Sequence, residues 1–436
     1  MTAQAHRQHL THLHSFLKVW TDIWSLEVLD YTEKRLNEIY PQTWVEYLDQ
    51  LPPEELWKID ARKMPLESIG EQSFKNFLSE IHELIQISKI LPQQLDKLPT
   101  WATTSVTEKK QHEVQTLAQF FKQHPELKNL QLMDIGGGVG HLARIMGLYY
   151  GMNFTTIDQD RKLQETGLKR LNKYPHPENP GKIKFVHGVL PTITSQEELA
   201  KSESRHLFCE HDFSIGLHTC GPLAVSHLKM AIEAQQKGVL NFGCCYYKMC
   251  HHQDTHLSEH ARTVPLDFTP FGLTLATRGH DEMSWNKYLL KERVKAFRYA
   301  IHLYLNEELG VNHIRSVGDS RPREYWGEFG PYAQAKLAKF DFPSTQSSKL
   351  TATQLQKYFD SSITQKRIRK MYLQNIIRWR LGRPLELYLL RDRAAYLEEN
   401  GKKSYVLEFF EEKLSPRNIG VFGVDEEKVP KTKFFI

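Results

Sequence analysis

Long apolar runs and cysteines are both scarce in this sequence. No stretch approaches the roughly 18 uninterrupted apolar residues that a membrane-spanning helix needs, and the opening MTAQAHRQHL has no apolar signal-peptide core. The five cysteines are odd in number and clustered, which does not suit a disulfide framework. We therefore expect a cytoplasmic protein whose cysteines serve, if they have a role, as thiols or ligands.

Net charge is also small. The formal charge is +5 over 436 residues, with 40% hydrophobic and 25% charged residues, as in ordinary folded proteins. A charge this mild does not by itself indicate a polyanionic partner. The length predicts two domains, or one domain with large insertions.

The order of the sequence patterns predicts an α/β fold with a doubly wound parallel sheet. Residues 1–105 carry apolar residues at helical spacing, such as Leu10, Leu13 and Leu17, and predict a helical amino-terminal module. Residues 106–250 alternate helical patterns with five predicted strands: LQLMDI, NFTTID, KIKFVHG, DFSIGLHTC and GVLNFGCC. Residues 251–383 predict a helical insertion before the sixth strand. Residues 384–436 predict the last two strands, from LELYLL and NIGVFGV.

A glycine-rich turn follows the first of these strands. Asp134 begins the pattern D-x-G-x-G-x-G, and the turn contains Gly136, Gly137, Gly138 and Gly140 before a helix that begins near His141. A dinucleotide fingerprint requires a glycine where His141 stands, so a nicotinamide-dependent oxidoreductase is disfavoured. Alternating glycines allow close approach of a ligand, and the amides of the following helix favour an anionic group.

An acidic residue ends the next strand. Asp158, followed by Gln159, stands where a carboxylate can accept two hydrogen bonds from ribose hydroxyls. The alternative is that Asp158 caps the helix that starts near Arg161.

Together these features resemble class I S-adenosylmethionine-dependent methyltransferases. The ordered blocks VTEKKQHEVQTLA, DIGGGVGHLAR, GLHTCGPLAVSHL, GCCYYKM and LSPRNIGVFG resemble the methyltransferase-like protein 25 family, also described as ribosomal RNA adenine dimethylase domain-containing proteins. HTCG with GCC is more distantly similar to a family of tRNA 2'-O-methyltransferases. The resemblance implies a class I methyltransferase (Rossmann-like) fold and S-adenosyl-L-methionine as the cofactor.

The resemblance also implies where the cofactor and the reacting centre lie. Many class I enzymes hold the adenine with an acidic or polar pair after the third strand, where this sequence has His187, Gly188 and Val189 and no carboxylate. The methyl group is implied to face the end of DFSIGLHTCG and its neighbouring strand. The candidates there are His218, as cofactor contact or base, and Cys220, Gly221, Cys244, Cys245, Tyr246 and Tyr247. A core histidine and packed thiols are the alternatives.

A metal site is not predicted. His252, His256 and His260 would share a helical face beside Cys250, but their spacing matches no zinc module. A solvated polar helix is the favoured interpretation.

Positive charge is concentrated in KRIRKMYLQNIIRWRLGR. Its residues suit phosphate contacts and base stacking: Lys366, Arg367, Arg369, Lys370, Arg378, Arg380 and Arg383, with Tyr372 and Trp379 between them. A solvated helix face or a docking surface for the amino-terminal module is the alternative.

The sequence thus predicts an S-adenosylmethionine-dependent methyltransferase with a macromolecular acceptor. RNA or a ribosome-associated protein is favoured over a small molecule, because helical additions and a basic stretch can build a large docking surface. A protein side-chain methyltransferase and a cofactor-binding scaffold without turnover remain alternatives. The acceptor atom and the oligomeric state stay open.

Overall fold

The computed structural model describes residues 3–90, 95–192, 195–249, 252–278, 283–314 and 316–429. Within them, eight strands form one sheet. Their bounds are β1 Ser88–Lys89, β2 Gln131–Ile135, β3 Asn153–Asp158, β4 Ile183–His187, β5 Phe213–Cys220, β6 Gly238–Cys244, β7 Lys403–Glu408 and β8 Ile419–Val424. The five strands predicted between residues 106 and 250 are confirmed as β2 to β6.

The sheet is open, with the strand order β1-β7-β8-β6-β5-β2-β3-β4. Strand β8 runs antiparallel to both neighbours, whereas all the other pairs are parallel. The chain moves outward from β2 to β3 and β4, then returns to place β5 on the other side of β2. Such a reversal opens a crevice at the carboxyl ends of the two central strands, where open α/β sheets bind ligands.

The helices belonging to the sheet-containing part begin with α1 Ala3–Val19. They continue as α7 Glu108–Gln123, α8 Pro125–Lys128, α9 His141–Tyr150, α10 Arg161–Lys173, α11 Gln196–Lys201, α12 Arg205–Cys209, α13 Pro222–Glu233, α14 His252–Thr255, α15 Glu259–Thr263, α16 Pro270–Thr277 and α22 Gly382–Glu399. Short 3₁₀ helices lie at Thr100–Thr103 and Tyr246–Lys248.

The remaining helices are α2 Thr21–Trp24, α3 Glu33–Ile39, α4 Gln42–Gln50, α5 Pro53–Asp60, α6 Gln72–Leu84, α17 Trp285–Leu309, α18 Phe329–Leu337, α19 Ser344–Ser347, α20 Ala352–Asp360 and α21 Ser362–Trp379. Further 3₁₀ helices lie at Val28–Asp30, Leu66–Ser68 and Pro322–Trp326.

The alternation of side chains along β2 places helices on both faces of the sheet. Leu132 packs into a cluster with residues of α7 and α9, whereas Met133 and Ile135 pack with residues of α11, α12 and α13. Successive strand residues point to opposite faces, and both faces here are apolar. This burial on two sides is what a doubly wound sheet requires.

One predicted strand is wrong. The segment LELYLL lies in α22, and the sixth strand in the predicted order is β7, which begins at Lys403. Nearly every residue of α22 is buried, including Glu386 and Arg391, so the helix shows no polar face. The alternation of Leu385, Leu387 and Leu389 therefore resembles a strand, although the segment is a helix buried on all sides. The prediction of NIGVFGV as the last strand is confirmed by β8.

The chain folds as two compact units. One comprises residues 1–21, 82–280 and 382–436 and holds the sheet; the other comprises residues 22–81 and 281–381 and contains only helices in its described part. Helix α1 and residues 252–278 thus belong with the sheet, a grouping that differs from the predicted amino-terminal module and insertion. The predicted boundary at residues 250 and 251 lies outside the described residues.

Within the described ranges, none of the helices has the combination of length and apolar character that crossing a bilayer requires.

Candidate active site

The turn between β2 and α9 has the backbone that its glycines predict. The φ values of Gly136, Gly138 and Gly140 are +68°, +57° and +67°. L-residues rarely adopt this left-handed conformation, because their Cβ approaches the backbone. Gly140 is the residue before α9, and no side chain caps that end of the helix.

Two of the four glycines are enclosed by the core and two border open space. A Cβ on Gly137 would lie 2.0 Å from Oγ1 of Thr156, and one on Gly140 would lie 2.6 Å from the Phe185 ring. On Gly136 and Gly138, an added Cβ would meet nothing closer than 3.9 Å. Gly137 and Gly140 must therefore be glycine for the core to pack, while Gly136 and Gly138 leave room for a ligand against the turn.

The glycine amides are largely used within the turn. The N–H groups of Gly136 and Gly137 donate to the carbonyl of Ile157 at 2.9 and 3.2 Å, and that of Gly138 donates to Oδ2 of Asp158 at 2.8 Å. An anionic group would instead find the first-turn amides of α9. These amides lack a side-chain cap and lie at the positive end of the helix.

Asp158 connects the turn to the end of β3. Its second oxygen, Oδ1, accepts from the N–H of Asp160 at 2.8 Å, and Asp160 itself caps α10 by accepting from the N–H groups of Lys162 and Leu163. The alternative role of Asp158 as the cap of this helix is therefore wrong. Each carboxylate oxygen keeps a further lone pair that can accept a hydroxyl hydrogen.

Asp134 is a buried acid beside the glycine turn. It is 2% exposed, and burial raises its pKa to about 7, with the nearby Asp158 carboxylate acting in the same direction and Lys110 opposing it. A hydrogen bond with the Thr156 side chain also opposes the rise in its pKa.

The residues after β4 lie beside Asp158. The carbonyl of Asp158 accepts from the Gly188 N–H at 3.1 Å, and Nε2 of the exposed His187 lies 3.1 Å from the carbonyl of the exposed Gln159. Val189 is 53% exposed. The strip formed by residues 187–189 offers an apolar side chain and an imidazole, and no carboxylate, to a neighbouring ring.

His218 lies in an irregularity of β5. The register between β5 and β6 shifts between Leu217 and Thr219, and His218 has φ of +66°. Bulges of this kind redirect a side chain, and a strained non-glycine residue points to function when its surroundings hold it. At the crevice between β2 and β5, His218 thus lies near the end of β5 and the glycine turn lies at the end of β2.

His218 forms a pair with Glu113 of α7. Its Nε2 atom lies 2.7 Å from Oε1 of Glu113, and the same oxygen accepts from the Ser415 hydroxyl at 2.6 Å. Lys109 and Lys110 approach the Glu113 carboxylate at 3.6 and 3.4 Å. Glu113 was not among the sequence candidates, although it lies in the block VTEKKQHEVQTLA, because nothing in its local pattern links it to His218.

The electrostatics of this pair define a neutral histidine and an ionised acid. Burial would raise the pKa of Glu113, but its hydrogen bonds with His218 and Ser415 and the charge of Lys110 outweigh burial and lower that pKa below its usual value. Burial lowers the pKa of His218 below its usual value of 6.5. We therefore assign Nε2–H of His218 as the donor to Glu113, which leaves the Nδ1 lone pair as an acceptor.

The cysteines predicted near the reacting centre do lie together. The Sγ atoms of Cys220 and Cys244 are 3.1 Å apart, and Cys245 follows with φ of +49°. Gly221 also has a positive φ, and its amide donates to the carbonyl of Cys244 at 2.9 Å. The ends of β5 and β6 are thereby joined.

The two tyrosines that follow point to different surroundings. Tyr246 is 1% exposed and its hydroxyl lies 3.4 Å from Oε1 of Glu386, whereas Tyr247 is 48% exposed. The buried position does not leave Tyr246 open to an acceptor. Of the two rings, that of Tyr247 is the one available to a ligand.

The histidines weighed as metal ligands have separate partners. Nε2 of His256 accepts from the N–H of Leu266 at 3.0 Å, and Nε2 of His260 lies 3.0 Å from Oγ1 of Thr11. Cys250 lies outside the described residues, as does the side chain of His252. His256 and His260 thus take part in different contacts within the fold.

Much of the basic stretch faces the protein interior. Arg378, Arg380 and Arg383 are 3 to 5% exposed and donate to backbone carbonyls, to Asp60 and to Glu386. Tyr372 and Trp379 are also buried. Arg367 pairs with Glu307 and Arg369 with Asp49. The contacts with Asp49 and Asp60 favour the alternative in which this stretch docks against amino-terminal residues. Lys366 is exposed, whereas Lys370 is partly buried, like Arg367 and Arg369.

Two comparisons with known proteins gave matches. A family model described as "Methyltransferase domain" matches residues 109–252, a range that contains Glu113, the glycine turn, Asp158 and His218. A solved structure, that of YjhP from E. coli, shares 15% identity, with coverage of 56% of this chain and 94% of that chain and a TM-score of 0.23. The fold is that of a class I, Rossmann-like methyltransferase. More particularly, residues 109–252 carry the similarity to methyltransferase domains, which supports a methyltransferase enzyme.

Proposed function

We propose that this protein transfers a methyl group from S-adenosyl-L-methionine to a macromolecular acceptor. The observation that carries the proposal is the open side of the glycine turn beside Asp158. Gly136 and Gly138 have space for a ligand, and both oxygens of the Asp158 carboxylate are fixed by backbone N–H groups. The residues present fit the cofactor: amides for its carboxylate and an oriented acid for its ribose.

The chain's own residues would hold the cofactor from three sides. The first-turn amides of α9 would bind its carboxylate, Asp158 would accept hydrogen bonds from its ribose, and His187, Gly188 and Val189 would contact its adenine. S-adenosyl-L-methionine supplies a methyl group already activated as a sulfonium. The protein therefore contributes mainly orientation, which accounts for several kcal/mol of the barrier when the reacting atoms are held in line.

His218 supports acid–base assistance at the acceptor. Its neutral ring can accept a proton at Nδ1, while Glu113 holds Nε2–H and stabilises the imidazolium that results. This arrangement resembles the way an acid orients a histidine base in hydrolases, and it is needed only for an acceptor that must lose a proton. Glu113 acts through His218 and is a positioning residue.

For the acceptor, RNA or a ribosome-associated protein remains our proposal. Its support is the helical unit of residues 22–81 and 281–381, which adds surface beyond what cofactor binding needs. A cavity of about 340 Å³ within that unit is lined by Tyr31, Lys370 and Gln374 and also by the acids Asp30, Glu33 and Glu307, a mixed polar lining that does not by itself select the charge of a ligand. A protein side-chain acceptor is the alternative, and it would use the strand end where Cys245 is partly exposed and Tyr247 is exposed.

The proposal is tested by transfer of labelled methyl from S-adenosylmethionine into an extract of cells that lack this protein. The extract supplies unmethylated acceptor, and digestion with nuclease or protease assigns the product. Label released by nuclease supports an RNA acceptor, and label released by protease supports the alternative. Binding of the cofactor without any labelled product would identify a non-catalytic scaffold and contradict the enzymatic proposal.

A further inference from the structure

Three cysteine sulfurs meet at the carboxyl ends of two neighbouring strands. Cys220 and Cys244 are register partners in the parallel pair β5 and β6, and Cys245 is the next residue along. The Sγ atoms of the three residues all lie within 4.8 Å of one another. The sequence has no C-x-x-C spacing that would predict this cluster, because Cys220 is distant in sequence and reaches the other two cysteines only through the strand register.

The backbone conformation of Cys245 places its sulfur beside the other two. Cys245 has φ of +49° and ψ of 48°, a left-handed conformation that is unfavourable for a residue with a Cβ. An extended residue at that point would place its side chain on the opposite side of the strand from Cys244. The strain at Cys245 instead accompanies the convergence of two consecutive cysteines on one site.

From this geometry we propose that Cys220, Cys244 and Cys245 bind one thiophilic metal ion, Zn²⁺. In a tetrahedral site with Zn–S bonds of 2.3 Å, neighbouring sulfurs lie about 3.8 Å apart, and small side-chain rotations bring the observed cluster to that spacing. Thiolates are the preferred ligands of such an ion. Three protein ligands leave a fourth coordination position for solvent or another ligand.

Accessibility is suited to uptake of an ion. Cys244 is 7% exposed, while Cys220 and Cys245 are partly exposed, so the cluster is sheltered but can be reached. The thiols of Cys220 and Cys244 both approach the carbonyl of His218, at 3.7 and 3.3 Å. Metal binding would replace these weak hydrogen bonds with coordination.

A disulfide between Cys220 and Cys244 explains less of the observed geometry than a metal site does. The separation of 3.1 Å between the sulfurs of Cys220 and Cys244 exceeds the bond length of about 2.0 Å, and a bond between these two would leave Cys245 without a role. Oxidation is therefore an outcome that the test must separate from metal binding.

The experiment uses the full chain, reduced and freed of metal by a chelator, and then titrated with Co²⁺ as a spectroscopic substitute that binds more weakly than Zn²⁺. We expect a thiolate-to-metal charge-transfer band that saturates at one equivalent and is displaced by Zn²⁺. Cys245→Ser should weaken binding by about 100-fold or more, because even outer-shell partners of metal ligands account for 10- to 100-fold. Cys209→Ser, which alters an exposed cysteine outside the cluster, is the matched control and should bind normally.

A second measurement covers the case in which a cluster variant fails to fold. Native wild-type protein is alkylated with and without one equivalent of Zn²⁺, and the modified cysteines are identified by mass spectrometry. Zn²⁺ should protect Cys220, Cys244 and Cys245 but not Cys209. Equal alkylation of the cluster in both samples, or absence of a saturable band in the wild type, would overturn the proposal. A Cys220–Cys244 disulfide in a chain that takes up no ion after reduction would also overturn it.

Neither measurement uses methyl transfer as its signal. Loss of the metal-site proposal would therefore leave the proposed function standing, and failure to detect methyl transfer would leave the metal result unaffected.

Discussion

His218 and Glu113 lie 105 positions apart in the chain, yet their side chains are 2.7 Å apart. Their meeting depends on two independent features: the bulge that redirects His218 in β5 and the burial of Glu113 on α7. Neither feature is visible in the local sequence, where Glu113 is one charged residue of a helical pattern. A histidine candidate could be proposed from its place after a strand, but its partner required the fold.

Replacing His218 with Asn should lower kcat by about 10²- to 10⁴-fold if the acceptor must lose a proton, since this is the usual contribution of a positioned base. In the wild type, kcat should rise with pH through a pKa below 6.5 and then level off, because burial lowers the pKa of His218. The variant should lose this pH dependence. Initial rates of labelled methyl transfer across pH measure both effects.

Glu113→Gln should reduce kcat without abolishing activity. It should also move the rise of kcat with pH to lower pH, because the Glu113 carboxylate stabilises the protonated form of His218 and its removal lowers the pKa of that ring. Glu108→Gln, an exposed acid on the same helix, is the matched control and should change neither value. An unaltered pH profile in His218→Asn would remove His218 from the mechanism.

Asp134 makes a separate prediction about stability. Its pKa is about 7 in the folded protein and about 3.9 when exposed, so the folded state binds the extra proton between these values. The wild type should therefore lose stability as pH rises from about 4 to 7, by at most about 1.4 kcal/mol per pH unit from this group. Asp134→Asn should lack this contribution.

Urea unfolding of both proteins from pH 4 to pH 8 tests the sign. The stability of Asp134→Asn relative to the wild type should increase up to about pH 7 and stay constant above it. A constant difference across the whole range would show that the Asp134 carboxyl is ionised in the folded protein at all these values.

At the scale of elements, the local sequence pattern correctly predicted those elements whose structure is set by residues adjacent in the sequence. Strands β2 to β6 and the glycine turn follow from apolar runs and from glycines that adopt positive φ. The pattern failed at α22, because a helix buried on all sides has no polar face to reveal its period. It also left the basic stretch undecided, because charge alone does not indicate whether an arginine such as Arg380 faces solvent or donates to buried carbonyls.

The glycine turn predicts different outcomes for two positions with the same backbone conformation. Gly138→Leu should abolish cofactor binding, because its side chain would enter the open space beside the turn. Gly151→Leu is the matched control: Gly151 has φ of +69° and ends α9 on the other side. Each variant should lose about 1 to 2 kcal/mol of stability from the left-handed backbone, measured by chemical unfolding.

Calorimetric titration with S-adenosylmethionine separates the two variants. Normal affinity in Gly151→Leu with no detectable binding in Gly138→Leu is expected. If Gly138→Leu binds as well as the wild type, the open side of the turn is not the cofactor site.

At the scale of the whole molecule, α1 belongs to the unit that contains the sheet. Leu13 is fully buried, whereas Val19 on the same helix is 75% exposed, and His6 accepts a hydrogen bond at 2.8 Å from Arg391 of α22. Leu13→Ala should therefore destabilise this unit by about 2 to 5 kcal/mol, the usual cost of a buried leucine. Val19→Ala should have little effect.

Thermal unfolding, followed by hydrogen exchange of the amides in β2 and β5, measures this coupling. Faster exchange of these central strands in Leu13→Ala, but not in Val19→Ala, is the expected result. Unchanged exchange in β2 and β5 would indicate that α1 unfolds independently of the sheet.

The most direct test of the central claim is calorimetric titration of the full chain with S-adenosylmethionine, comparing the wild type with Asp158→Ala and Asp160→Ala. The wild type should bind one equivalent. Asp158→Ala should weaken binding by about 1 to 3 kcal/mol through loss of charged hydrogen bonds, while Asp160→Ala, which removes only the α10 cap, should keep wild-type affinity. Absence of binding by the wild type, or equal affinity in Asp158→Ala, would contradict the assignment of this turn as the cofactor site.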